Sequence, residues 1–197
     1  MKTKIEVGAN WGGDTQSLAA DGSVVYAFEP TPSLADHLRE RFKSNSNVHI
    51  IEKAVDEHDG VAEFNIAGTG DWGCSSLYEF SEDIHSKWNG RPDFHFTDRC
   101  EVETIRLDTF IQQNEIDSID YLWIDAQGND FNVLKSLGYF ISRVKSGKCE
   151  GSYTVDLYQG TNNNVNDIEI WLESNGFKCT VIPDNVNKEA DIHFKRL

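Results

Sequence analysis

A chain of 197 residues that is 39% hydrophobic and 11% aromatic can bury roughly 70% of its unfolded surface in one domain, without a disulfide or metal staple. Such a composition excludes a fibre or a disordered tail. With 33 acidic against 18 basic residues, the net charge of −15 repels phosphate backbones and anionic headgroups, so no nucleic acid and no membrane partner is predicted.

The N-terminus, Met1-Lys2-Thr3-Lys4, leads into strand-like residues without an apolar signal region, which makes a cytoplasmic location the expectation. The longest apolar run, Val24 to Phe28, is far too short to cross a bilayer. Cys74, Cys100, Cys149 and Cys179 are widely spaced and form no CxxC or Cys/His cluster. They read as reduced thiols, and no zinc site is predicted.

In chain order, Ile5 to Val7 reads as a strand, followed by the glycine-rich turn Gly8 to Gly13 and a helix from Asp14 to Ala20. Val24 to Phe28 is an uncharged, β-branched strand with both faces covered. Ser33 caps a helix through Lys43, with Leu34, Leu38 and Phe42 at helical spacing. Strands follow at Val48 to Ile51 and Val61 to Ile66. Ala67 to Arg99 is aromatic and glycine-rich without a period, longer than ordinary connections, and is predicted to be an insertion carrying substrate or lid contacts. Beyond it come a strand at Val102 to Leu107, a helix at Thr109 to Asn114 and an apolar strand at Asp120 to Ile124, with Trp123 in the core. The chain continues with a helix at Asp130 to Leu137, a strand at Gly151 to Leu157 and a helix at Ile168 to Asn175. It closes with strands at Lys178 to Ile182 and Asp191 to Phe194. This alternation predicts an α/β fold of one domain, a mostly parallel sheet flanked by helices, with an antiparallel hairpin at one edge.

Four features fall at carboxyl ends of strands, which share one rim where ligands bind. Glycines after Glu6-Val7 let backbone approach a ligand, and an acid beside that turn suits an ammonium or sulfonium better than a pyrophosphate. Glu29 ends the second strand, where an acid accepts hydrogen bonds from ribose hydroxyls. Lys53-Ala54 follows the third strand, where an adenine ring can lie along backbone. Asp125-Ala126-Gln127-Gly128 follows the Asp120 to Ile124 strand and can orient a hydroxyl or take its proton. Asp125 read as a helix cap or an amine ligand stands beside that role.

These motifs together resemble the FkbM-type methyltransferases: Ile5-Glu6-Val7-Gly8-Ala9-Asn10-x-Gly12, Val25-Tyr26-Ala27-Phe28-Glu29-Pro30, Asn47-Val48 through Ala54-Val55, Ser75-Ser76-Leu77, Arg106-Leu107-Asp108-Thr109 and Ile124-Asp125-Ala126-Gln127-Gly128. The resemblance covers residues 4 to 137 and, less fully, the Gly176-Phe177 region. It implies a class I S-adenosylmethionine (SAM) fold of Rossmann-like design and O-methyl transfer to the hydroxyl of a carbohydrate or similar small molecule. By motif position Glu6, Gly8 and Asn10 would face the methionine half, Glu29 the ribose, and Lys53 and Ala54 the adenine; Ala9, Pro30 and Asp125 are further candidate cofactor contacts, and Asp125 is the candidate catalytic residue, as base or orienting group. Gln127 stands where the family pattern has glutamate.

Trp72, Ser75, Ser76, Gln127 and Asp156 are the candidate acceptor contacts. Asp125 with Asp156 is the one candidate pair for a divalent cation, although no third ligand stands out. The lid is expected from the insertion, the late loops, or a neighbouring subunit of a homo-oligomer. A SAM-binding module without catalysis and a Rossmann NAD-dependent oxidoreductase remain the alternative functions.

Overall fold

The computed structural model describes residues 1–153, 157–184 and 189–197. The first half runs β1 (Thr3–Val7), α1 (Gly13–Ala19), β2 (Val24–Phe28), α2 (Pro32–Phe42), β3 (Val48–Ile51), β4 (Ala54–Val55), β5 (Gly60–Ile66), α3 (Ile84–Lys87) and β6 (Asp98–Ile105). The second half runs α4 (Leu107–Gln113), β7 (Tyr121–Ile124), α5 (Asp130–Ser136), β8 (Ser146–Ser152), α6 (Val165–Ser174), β9 (Phe177–Asp184) and β10 (Glu189–Arg196). Seven strands form one sheet in the order β3-β2-β1-β7-β8-β10-β9. β3, β2, β1, β7 and β8 are parallel, whereas β10 lies antiparallel between β8 and β9. The predicted α/β class and edge hairpin are both present.

Strand order reverses beside β1: the chain winds outward through β2 and β3, then returns to the other flank as β7. At such a reversal the loops after adjacent strands diverge and leave a crevice at their carboxyl ends. The floor of the crevice is fixed by the sheet's central side chains. Ile5, Leu122 and Ile124 are fully buried, each contributing about 1.5–3 kcal/mol by burial. They join Phe28, Leu107, Ile111 and Leu134 in one core.

Several sequence expectations shift. β5 and β6 do not enter the main sheet; they pair antiparallel from Gly60↔Thr104 to Ile66↔Asp98, and with β4 form a separate three-stranded sheet. α2 begins at Pro32, preceded by Thr31 rather than capped by Ser33, because proline suits a first helical position where no N–H is needed. α4 starts at Leu107 and α6 at Val165, each earlier than periodicity suggested. The α6 start follows from Asn164, whose side chain accepts from the N–H groups of Asn166 and Asp167.

The strand expected at Gly151 to Leu157 lies instead at Ser146–Ser152, with residues 154–156 outside the described set. Its inward positions are Gly147, Cys149 and Gly151, so no large apolar residue betrays it. Trp123 is half-buried rather than central: β7 turns Leu122 and Ile124 into the core, while the Lys148 ammonium sits 4.5 Å over the Trp123 ring. Trp171 is likewise partly buried, edge-on to Phe131.

Gly147 shows how tightly β8 is held. A Cβ there would lie 2.3 Å from the Leu122 carbonyl oxygen and 2.4 Å from the Phe194 ring. The carbonyl cannot withdraw without disturbing the β7–β8 pairing, and the Phe194 ring is packed in the core, so Gly147→Ala is expected to cost at least ~2 kcal/mol in urea unfolding. An unchanged denaturation midpoint would contradict that packing.

Candidate functional site

At the carboxyl ends of β1, β2, β4 and β7 lies a cleft of about 600 Å³. Of the sequence-predicted residues, Gly8, Asn10, Glu29, Pro30, Lys53, Ala54, Trp72, Ser75, Asp125 and Gln127 line it together. Glu6, Ala9 and Ser76 do not. Glu6 is fully buried beneath the loop after β1, its carboxylate accepting a 2.6 Å hydrogen bond from Thr15 Oγ1. The Ala9 N–H donates to the Phe28 carbonyl. Ser76 is fully buried, its hydroxyl donating to the Gln127 main-chain carbonyl, so it fixes the insertion rather than facing the cleft. Asp156 lies outside the described residues, and the Asp125–Asp156 cation pair with it. Among the described residues no group of three or more His, Cys, Asp or Glu is arranged to hold a metal ion.

Glu29 organises one wall. Its side chain is buried, and its two carboxylate oxygens accept 2.8 Å hydrogen bonds from the N–H groups of Asn10 and Thr31. Burial raises its pKa, and those hydrogen bonds oppose the rise. The opposite wall is Asp125, whose Oδ1 accepts from the Gln127 side-chain amide, while Gln127 Oε1 accepts from the Tyr158 hydroxyl. Burial raises Asp125 as well, with the Gln127 hydrogen bond and the charge of Lys148 pulling the other way. Lys53, the one basic side chain on the cleft, is turned to Glu103 in a 2.6 Å ion pair. The cleft therefore presents two carboxylates and, among the described residues, no unpaired cation.

The two walls meet through backbone. Gly8 has φ +89°, and a Cβ on it would lie 2.0 Å from the Asp125 carbonyl oxygen, so only glycine permits this approach. Of the three described non-glycine residues with positive φ, two, Asn10 and Gln127, line the cleft. Backbone strain of this kind concentrates at ligand sites. The Asn10 Oδ1 atom is buried with no hydrogen-bond partner among the described residues, an acceptor available to a ligand.

Sequence reasoning missed Thr31, Leu34, Phe64, Leu77 and Asn129, which also line the cleft. Asn129 is the hub among them. Its amide donates to the Val55 carbonyl and to Asp56, while its carbonyl oxygen accepts from Tyr78 and Asn132. Its position two residues after Gln127 was visible; its partners Tyr78, Asp56 and Val55, 51 to 74 residues away, were not.

Residues 6–179 match the model of the Methyltransferase FkbM domain. The chain belongs to the FkbM methyltransferase family. A curated relative, 2-O-methyltransferase NoeI of Sinorhizobium fredii (strain NBRC 101917 / NGR234), is 27% identical over 161 residues, 79% of this FkbM chain. The chain spans about 65% of that relative's length.

Among solved structures, an rRNA methylase from Streptococcus thermophilus aligns with TM-score 0.55 and 13% identity, over 100% of this chain and 87% of that one. The O-methyltransferase from Bacillus cereus in complex with S-adenosylhomocysteine (SAH) aligns with TM-score 0.56 and 13% identity, over 100% and 74%. At these identities the likeness establishes the class I methyltransferase fold. The same fold serves an rRNA methylase, so it does not by itself uphold the exclusion of nucleic acid drawn from net charge. Methyltransferase membership does set aside the oxidoreductase alternative. Among the described residues no helix is long and apolar enough to cross a membrane.

Buried acids around the site have a consequence for stability. Burial raises Glu6 to about 8 and Asp130 to about 7. In the fold each keeps its proton where the unfolded chain has released it. Their stabilising contribution is complete below the unfolded pKa, near 4.5 for Glu6, and is lost as pH climbs toward the folded one. The melting temperature is expected to fall between about pH 5 and about pH 8, and Glu6→Gln to make that fall shallower. An identical slope in the variant would show that Glu6 is not protonated in the fold.

Proposed function

We propose that this chain is a SAM-dependent O-methyltransferase acting on a hydroxyl of a carbohydrate or similar small molecule. The observation that carries the reading is the cleft's charge: Glu29 and Asp125 face each other across it, and its one lysine is paired elsewhere. Such a cleft favours a ligand with positive charge and hydroxyl donors, and it repels a pyrophosphate. The unpartnered Asn10 Oδ1 supplies the further acceptor that an ammonium needs. The activity that NoeI is named for, 2-O-methyl transfer, points to oxygen as the acceptor atom.

In this reading Glu29 uses its remaining lone pairs on the ribose diol, with Pro30 beside it. Gly8 and Asn10 hold the methionine half, and Lys53, Ala54 and Val55 frame the adenine. Glu6, under the loop, is drawn toward its charged form by a cation above it. SAM supplies an activated methyl group: the acceptor oxygen bonds to methyl carbon as the carbon–sulfur bond breaks. Alignment of acceptor and methyl, with water excluded, provides much of the acceleration. Asp125 orients the hydroxyl and takes its proton, the Gln127 amide holding the carboxylate in place. An aspartate raised by burial is a stronger base than an exposed one.

Calorimetry with SAM and transfer of labelled methyl to a glycan panel test the proposal together. Glu29→Ala is expected to weaken SAM at least ~10-fold, through loss of hydrogen bonds to a charged group. Asp125→Asn is expected to lower kcat at least ~100-fold while SAM affinity stays within about threefold. In the wild type, kcat should rise with pH through a pKa above the ordinary aspartate value. Full turnover by Asp125→Asn would remove it from the mechanism, and SAM binding without transfer to any acceptor would leave the non-catalytic module.

A further inference from the structure

Beyond Asp125 the cleft continues into a second cavity, of about 550 Å³. The two share Gly73, Asp125 and Gln127, so a ligand in the second cavity reaches the first at the Asp125 carboxylate. Its remaining wall includes Asp71, Trp88, Arg91 and Phe94 of the insertion, with Leu157 and, at the start of β10, Glu189.

The polar groups in this cavity are unevenly satisfied. Arg91 is paired through Nε and Nη2: it bridges Asp71 and Asp93 at 2.8 Å and lies 3.9 Å over the Phe94 ring. Its single charge is matched by those two carboxylates. Trp88 is only 9% exposed, packs edge-on to Phe94 at 5.7 Å, and its indole N–H has no partner among the described residues. A buried donor without an acceptor is costly, and Trp88 is one of the residues lining the cavity. Glu189 makes no side-chain hydrogen bond or ion pair among the described residues.

We infer that this second cavity is the acceptor subsite, and that it takes an uncharged carbohydrate ring held between the Trp88 indole and the Glu189 and Asp125 carboxylates. The inference rests on the reading of the first cleft as the SAM site. Hydroxyl groups both donate and accept, so one ring can give protons to two carboxylates and receive one from the indole. Apolar C–H faces of the ring meet Trp88, Phe94 and Leu157. A phosphate or carboxylate group in the same place would sit beside the Asp125 and Glu189 carboxylates, where among the described residues the one cation, Arg91, is already bridged by Asp71 and Asp93, and would be disfavoured. The subsite therefore selects against sugar phosphates and against a nucleic acid backbone.

The acceptor contacts thus move away from Ser76 and onto Trp88 and Glu189. Neither of these lines the first cleft, so substituting them probes the acceptor subsite without touching the cofactor contacts.

The test uses the full chain saturated with SAH, titrated with neutral methyl glycosides of glucose, galactose, mannose and rhamnose, and with glucose 6-phosphate. Binding is read by tryptophan fluorescence and by ligand-observed saturation-transfer NMR. At least one neutral glycoside should bind, tenfold or more tightly than glucose 6-phosphate. Trp88→Phe and Glu189→Gln should each weaken that glycoside at least fivefold, and Glu189→Gln should narrow the gap to the phosphate. Both variants should bind SAH calorimetrically as the wild type does, which also reports that they fold. SAH binding with no glycoside bound, preference for the phosphate, or glycoside affinity unmoved in both variants would overturn the inference. Failure of the wild type to bind SAH would overturn the cofactor reading, and this one with it.

Discussion

The site depends on one buried carboxylate. Glu29 gathers the N–H of Asn10 from the loop after β1 and the N–H of Thr31 from the start of α2. Two loops on neighbouring strands are thereby locked to a single side chain at the bottom of the crevice. Charge-assisted hydrogen bonds of this kind are stronger than neutral ones, and here they hold Asn10 in its positive-φ conformation. From Asn10 the constraint passes through Gly8 to the Asp125 carbonyl, a backbone approach that tolerates no Cβ. The distance between the two acids of the cleft is set by main chain, and side-chain rotamers add little freedom.

A second layer is built by the insertion between β5 and β6. It has its own apolar cluster, in which Phe80 stacks on Phe96 at 4.2 Å and on Tyr158 at 5.4 Å, with Ile84 and Trp88 alongside. Tyr158 ties that cluster to the chemistry, because its hydroxyl is shared between the Cys74 carbonyl and the Gln127 side chain. Gln127 in turn holds Asp125. The glutamine that departs from the family pattern thus serves as a connector. Its amide donates to one neighbour while accepting from another, which an ionised glutamate cannot do.

The sequence was legible where chemistry is local. Strand ends marked by Glu29 and Asp125, and the glycine turn after Val7, announce themselves through charge or backbone freedom beside apolar runs. β8 was displaced because its inward residues are two glycines and a cysteine, small enough to fit under Phe194 but silent as a pattern. The β5/β6 pair read as members of a parallel sheet because alternation reveals a strand, not its partner. Trp88 and Glu189 lie about a hundred residues apart in the sequence, and nothing in either neighbourhood marks them as facing one space. Ser76 illustrates the converse: a polar residue in a promising motif spends its hydroxyl on the Gln127 carbonyl.

Ile66 and Asp98 are register partners at the open end of the β5/β6 ladder, so the intervening segment leaves and re-enters the fold at a single doorway. A stretch anchored in that manner is a cassette: it can be lengthened, shortened or exchanged while the seven-stranded sheet keeps its strand order and the Glu29 grip stays intact. Such an exchange would remodel the cavity wall around Trp88 and, through Trp72, Ser75 and Leu77, one side of the first cleft as well.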